Sequence, residues 1–153
     1  MQPESAPREA PIEILLVEDN PADVRLTMEA FKEACVPARW SFATNGDEAL
    51  GFLRRRSAGA GLPTPGLVLL DLNMPGTDGR RVLAEVKTDP ALKDIPVLVL
   101  TTSSAERDKT CAAELGADSY FIKPMALDAF VDLIRVIDQT WIRLRKESRP
   151  ACR

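Results

Sequence analysis

Leu67-Val68-Leu69-Leu70-Asp71-Leu72-Asn73-Met74-Pro75-Gly76-Thr77-Asp78-Gly79 is an aliphatic run that ends in a single acid and then turns. Such an unbroken apolar run reads as a strand buried on both faces, the signature of a parallel sheet covered by helices. Asp71 stands where the chain leaves that sheet. In open α/β sheets ligands bind outside the carboxyl ends of the strands, so a carboxylate there is a candidate nucleophile or metal ligand. One acid at a strand end is about as often a helix cap or a loop residue, so its companions have to decide.

Three further runs supply them. Ile12 to Val17 ends in Glu18-Asp19, Val97 to Leu100 ends in Thr101-Thr102, and Tyr120-Phe121-Ile122 ends in Lys123-Pro124. Four strands thus deliver an acid pair, an acid, a hydroxyl and an amine at their carboxyl ends. That coincidence is far less expected of plain structural residues than one acid alone.

At 153 residues the chain is one domain with tails, long enough to bury roughly two-thirds of its unfolded surface. A net charge of −3 argues against nucleic acid as a direct partner, and Arg54-Arg55-Arg56 reads as a solvated helix end. No apolar stretch approaches the ~18 residues of a membrane span, and the polar start is unlike a secretory signal. Cys35, Cys111 and Cys152 have no CxxC spacing and read as free thiols in a reducing cytoplasm. The chain has no His, which removes Ser-His-Asp triads, Cys-His pairs and the common zinc sets together.

Along the chain, residues 1–11 read as a disordered N-terminal arm. Strand 1 covers about 12–17. Asn20-Pro21 then places a cap and a first-turn proline at the start of a helix reaching Ala34, with Val24, Met28 and Phe31 inward. Strand 2 spans Arg39 to Ala43, with Trp40 packing at the edge. Asn45-Gly46-Asp47 caps a second helix carrying Ala49, Leu50 and Leu53 inward, which frays at Arg56. Breakers fill the loop 57–66. Helix 3 follows Gly79 with Val82, Leu83 and Val86 inward. Strand 4 is 96–101, helix 4 runs from near Ser104 to Gly116 with Cys111, Ala112 and Leu115 inward, and strand 5 is 119–122. Helix 5 runs from Leu127 to Lys146, with Leu127, Phe130, Val131, Ile134, Ile137 and Trp141 at helical spacing. Alternating strands and helices predict an α/β doubly wound parallel sheet with right-handed crossovers.

Glu18, Asp19 and Asp71 meet only if strands 1 and 3 are neighbours, as in the flavodoxin-like (βα)5 order 2-1-3-4-5. Three carboxylates so close repel one another unless a cation lies among them, and an all-oxygen set suits Mg²⁺. Lys123 adds positive charge, and Thr101 adds a hydroxyl donor. The set reads as an aspartyl-phosphate site. Taken alone, Lys123 is equally a salt-bridge partner of these acids.

The motifs Val17-Glu18-Asp19-Asn20, Leu70-Asp71-Leu72-Asn73-Met74-Pro75-Gly76-Thr77-Asp78-Gly79, Leu100-Thr101 and Tyr120-Phe121-Ile122-Lys123-Pro124 together resemble the receiver domain of bacterial two-component response regulators. The resemblance spans residues 12 to about 140, and the separations of Asp71, Thr101 and Lys123 match as well. It implies a receiver domain over 12–146 with a C-terminal tail at 147–153. It also implies that Asp71 takes phosphate from a phosphohistidine on a sensor histidine kinase. Mg²⁺ would be bound by Asp19 and Asp71 side chains, by Glu18 through water and by the Asn73 backbone carbonyl. Lys123 would pair with the phosphate, and Thr101 and Tyr120 would form a switch pair, the hydroxyl moving to the phosphate while the ring turns inward. The Lys123-Pro124 peptide is often cis in such domains.

Little chain follows Trp141, so output is expected from the receiver itself, through the face formed by helix 4, strand 5 and helix 5. The loop 57–66, Leu100-Thr101-Thr102-Ser103 and the long fifth helix resemble the small regulators paired with bacteriophytochrome kinases. Trp141, Ile142 and Leu144 late in that helix call for cover, either a homodimer partner or the chain's own core. Other readings are a phosphorylation-independent interaction module, an intermediate phosphorelay carrier, and a Mg²⁺-dependent phosphatase. The last needs an acid two residues after its nucleophile, where this chain has Asn73.

Overall fold

The computed structural model describes residues 10–57, 64–74 and 79–143. Most of the 1–11 arm, residues 58–63 of the long loop, the turn 75–78, Leu144, the end of helix 5, the 147–153 tail and Cys152 lie outside them. Within the described residues the elements are β1 (Ile12–Val17), α1 (Pro21–Glu33), β2 (Ala38–Ala43), α2 (Gly46–Ser57), β3 (Leu67–Leu70), α3 (Gly79–Thr88), β4 (Val97–Thr101), α4 (Glu106–Glu114), β5 (Ser119–Ile122) and α5 (Leu127–Ile137). A π-helical turn, Asp138–Ile142, continues α5. The strands form one sheet in the order β2-β1-β3-β4-β5, every pairing parallel, as the sequence pattern predicts.

The aliphatic strands alternate between two cores. Leu15, Val17, Val68, Leu70, Val97 and Val99 meet α2 and α3 through Leu50, Leu53, Leu83 and Val86. Ile14, Leu16, Leu67, Leu69, Leu98 and Leu100 meet α1 and α5 through Phe31, Phe130, Ile134 and Ile137. With both faces covered, the central strands are buried along their whole length, each such side chain contributing about 1.5–3 kcal/mol.

Local signals place the helices as expected. The Asn20 side chain accepts from the amides of Ala22 at 2.9 Å and Asp23 at 3.4 Å, with proline in the first turn. Asn45 Oδ1 accepts from the Glu48 amide at 2.8 Å, while Glu48 reaches back to the Thr44 amide at 2.7 Å, a reciprocal cap of the kind that fixes helix starts.

Three inward assignments change. Met28 is exposed, because the buried stripe of α1 runs through Thr27, Ala30 and Phe31. Thr27 can be buried since its hydroxyl donates to the Asp23 carbonyl at 2.7 Å. In α4 Cys111 is only partly buried, Ala112 alone being fully buried and Leu115 packed partly against the core. Leu127, the first residue of α5, is exposed and lines a shallow groove with Glu33 and Asp128. Trp141 and Ile142, by contrast, pack on the chain's own α1–α5 core, so they do not call for a partner. Trp40 is the edge residue expected, meeting Phe31 edge-on at 4.9 Å.

Two helix ends use left-handed residues. After α1, the Val36 amide bonds the Phe31 carbonyl and the Cys35 amide bonds that of Lys32, both at 3.0 Å, with Cys35 at φ 62°. After α4, Gly116 takes the equivalent place at φ 100°, and a Cβ there would come within 3.0 Å of Lys87 Cγ. Glycine is the residue suited to this position. Cys35→Gly is therefore expected to raise stability by up to about 1 kcal/mol and Gly116→Ala to lower it by at least that much, both read from denaturant midpoints at unchanged m-value.

Candidate functional site

Strand register brings the site together. The Asp71 amide donates to the Val17 carbonyl at 3.1 Å, the Glu18 amide to Ala43 at 2.9 Å and the Lys123 amide to Thr101 at 2.7 Å. The ladders thus continue past the strand ends, and Glu18, Asp71, Thr101 and Lys123 emerge side by side. All four are buried. Carboxylate oxygens of Glu18, Asp19 and Asp71 lie within 4.8 Å of one another.

Lys123 is the centre of this arrangement. Its ammonium donates to Glu18 Oε1 at 2.6 Å, to Asp23 Oδ2 at 3.0 Å and to Asp71 Oδ2 at 3.3 Å. An ammonium has three protons and no acceptor, so all are committed. The second oxygens of Glu18 and Asp71 are also held, Glu18 Oε2 by the Asn20 amide at 3.2 Å and Asp71 Oδ1 by the Asn73 amide at 2.9 Å. Asp19 has no protein counter-ion among the described residues.

One ammonium cannot neutralise Glu18, Asp19, Asp23 and Asp71. Burial alone would disfavour the Lys123 charge, but its bonds to Glu18 and Asp23 and the charge of Asp71 more than offset this and raise its pKa. The surplus negative charge falls on Glu18, whose carboxyl is pushed up to about 7, first by burial and further by Asp71, against the opposing pull of Lys123. Large shifts in adjoining groups are a mark of functional clusters. The donor set fits a hard divalent cation: three clustered carboxylates, one of them uncompensated.

Thr101 is fully buried but is not bonded to Asp71. Its hydroxyl oxygen accepts from Asn73 Nδ2 at 3.0 Å and from the Ser103 amide at 3.5 Å. The Tyr120 hydroxyl donates to the Ser103 carbonyl at 2.9 Å, and its ring packs against the α2–α3 core. The expected pair is therefore joined through the β4–α4 loop rather than directly. Ser103 also donates to Asp108 at 2.5 Å, and Asp108 pairs with Arg80 at 2.5 Å; the Ser103 hydroxyl and then the Arg80 guanidinium hold Asp108 below the usual carboxylate range.

A sequence model of the response regulator receiver domain matches residues 14–135. This chain belongs to that family. Over 142 residues the receiver is 41% identical to response regulator Rcp1 of Synechocystis sp., spanning 93% of this chain and 95% of Rcp1. The phosphorylated cyanobacterial phytochrome response regulator RcpA superposes with a TM-score of 0.79 at 41% identity, over 88% of this chain and 96% of that one. The Mn²⁺-bound form of Rcp1 superposes with a TM-score of 0.75 at 41% identity, over 86% and 95% of the two chains.

In this receiver the Lys123–Pro124 peptide is trans, there being no cis bond among the described residues. Such domains often have this peptide cis, and here it is trans. Asp23 is the site residue the sequence reading missed. Its only signal was an acid in the first turn of a helix, which ordinarily serves the helix dipole. Gly79 closes the motif that Asp71 opens, and its role is geometric. A Cβ there would lie 2.7 Å from the Asp71 carbonyl oxygen and 2.9 Å from Leu72 Cα. Only glycine lets α3 begin this close to the strand that carries Asp71.

Gly79→Ala is accordingly expected to cost about 1–3 kcal/mol of stability by overpacking and to shift the Asp71 amide resonance. Glu18 supplies a pH signature in metal-free protein. Its folded-state pKa of about 7 lies above the ordinary 4.5, so protonation favours the native state, and this contribution declines as pH rises through that window. Added Mg²⁺ requires the deprotonated carboxylate and should raise the melting temperature more at pH 8 than at pH 6. An equal rise at both values would contradict the assignment.

Proposed function

We propose that this receiver accepts a phosphoryl group on Asp71 from the phosphohistidine of a sensor histidine kinase, in a Mg²⁺-dependent reaction, and signals through the surface of α4, β5 and α5. What carries the reading is Asp71: a buried carboxylate at a strand end, beside the Lys123 ammonium and two further acids. An Asp71 oxygen attacks phosphorus, the P–N bond breaks and its electron pair leaves with the imidazole. Glu18, Asp19 and Asp71 would hold the cation, with the Asn73 backbone carbonyl completing the set; when bound, it neutralises the acids and the incoming phosphoryl oxygens. The Asn73 amide orients the Asp71 carboxylate.

Lys123 then pairs with the phosphoryl oxygens, and Thr101 exchanges its Asn73 bond for one donated to the new acceptors. Phosphorylation adds about −1.5 to −2 charge and three acceptor oxygens at one strand end. Movement of Thr101 reaches Ser103, and through it Tyr120 and Asp108 on α4. With a single fully buried residue, α4 is the helix least bound to the core, and Ile122 and Val136 are exposed on β5 and α5; both favour a homodimer through this face. Asn73 is committed to Thr101 through its amide and has no proton to give as an acid, which favours a phosphoacceptor over a turnover phosphatase. The phytochrome association of RcpA supports a bacteriophytochrome as the kinase, acting in the cytoplasm; no described helix is long and apolar enough to cross a membrane.

Asp71→Asn should stay folded but take up neither acetyl phosphate nor beryllofluoride; mass spectrometry showing label in that variant would refute the acceptor. Chelation with EDTA should stop uptake by the native chain. Lys123→Ala should still label slowly yet lose any phosphorylation-dependent change in solution mass, measured by light scattering.

A further inference from the structure

We propose that Asp23 is a positioning residue that competes with the phosphoryl group for the ammonium of Lys123, and so sets how readily Asp71 accepts its load. The inference rests on Asp71 as the acceptor. Lys123 has three donor protons and three carboxylate partners, of which Asp71 is the most distant at 3.3 Å, against 3.0 Å for Asp23 and 2.6 Å for Glu18. The lysine is drawn away from the acceptor by the other two. A phosphoryl group on Asp71 brings new oxygens that need a cation, and the ammonium has no uncommitted proton to offer. The bond to Asp71 can pass to those oxygens as its carboxylate becomes an acyl phosphate, and any second bond to them requires another partner to be released.

Exposure selects which. The Glu18 side chain is 4% exposed, so losing its bond would strand a buried acceptor, at considerable cost. Asp23 is 30% exposed and can turn to water, which replaces most of what it gives up. Its backbone does not have to move: the Asp23 amide is held by the Asn20 cap and its carbonyl by the Thr27 hydroxyl. Only the side chain exchanges. Asp23 thereby joins α1 to the acceptor in the resting state and releases it on loading, which makes the first turn of α1 a brake on loading.

The test is beryllofluoride affinity by titration calorimetry at saturating Mg²⁺. Asp23→Ala should bind about two- to fivefold tighter than the native chain, the range of a partly exposed ion pair, and Asp23→Glu should restore native affinity. The gain should persist from 0.1 M to 1 M KCl, because a contact is exchanged; repulsion at a distance would be screened within about 3 Å at the higher salt, and a gain that vanishes there overturns the proposal. Unchanged or weaker binding by Asp23→Ala overturns it too. Asp71→Asn run in parallel separates the two levels. If it still binds beryllofluoride the acceptor reading falls, and if it is silent while Asp23→Ala matches the native chain, only the role of Asp23 falls.

Discussion

A single buried ammonium ties β1, α1, β3 and β5 together at one end of the sheet. Lys123 reaches Glu18, Asp23 and Asp71, groups that without it would force one another apart. Desolvating such charges is expensive, and removing one partner of a buried pair typically costs about 3–5 kcal/mol. A cluster with more acids than cations is not an economical way to hold a fold. Under the proposed function it makes sense as a site kept short of positive charge, whose balance a divalent ion and a phosphoryl group would change.

The scaffold permits this because it is rigid elsewhere. Central strands β3 and β4 are buried on both faces, and interiors this closely packed do not deform smoothly. Their exits therefore hold position to within hydrogen-bond tolerance. Gly79 belongs to the rigid part, allowing α3 to start against the Asp71 carbonyl. In the β4–α4 loop, Ser103 is bonded on one side toward Thr101 and on the other toward Tyr120 and Asp108. Asp71 is linked to α4 through the bonds of Asn73, Thr101, Ser103 and Asp108.

Most of this was legible in the chain. The strand runs, their terminal polar residues and the caps Asn20 and Asn45 are local properties, and each was found where expected. The parallel pairing followed from the alternation of elements, and the flavodoxin-like order, found as expected, brings Glu18, Asp19 and Asp71 together. The errors share one cause. Met28 and Leu127 have apolar side chains at helical spacing but lie beyond the buried stripe, because spacing specifies a face and not the angle at which that face meets the sheet. Asp23 was missed for the same reason, since its reach to Lys123 depends on the rotation of α1 about its axis.

The chain by itself determined which residue types leave the sheet and at which strand ends, since those depend on hydrophobic runs and turn chemistry within a few residues. Tertiary structure alone decided their partners. Lys123 is 105 residues from Glu18 and 100 from Asp23, and no local rule reports a contact across that separation. It likewise decided that Trp141 and Ile142 are covered by their own core. Charge balance, burial and the direction of each pKa shift are sums over neighbours, and neighbours exist only after the sheet has closed.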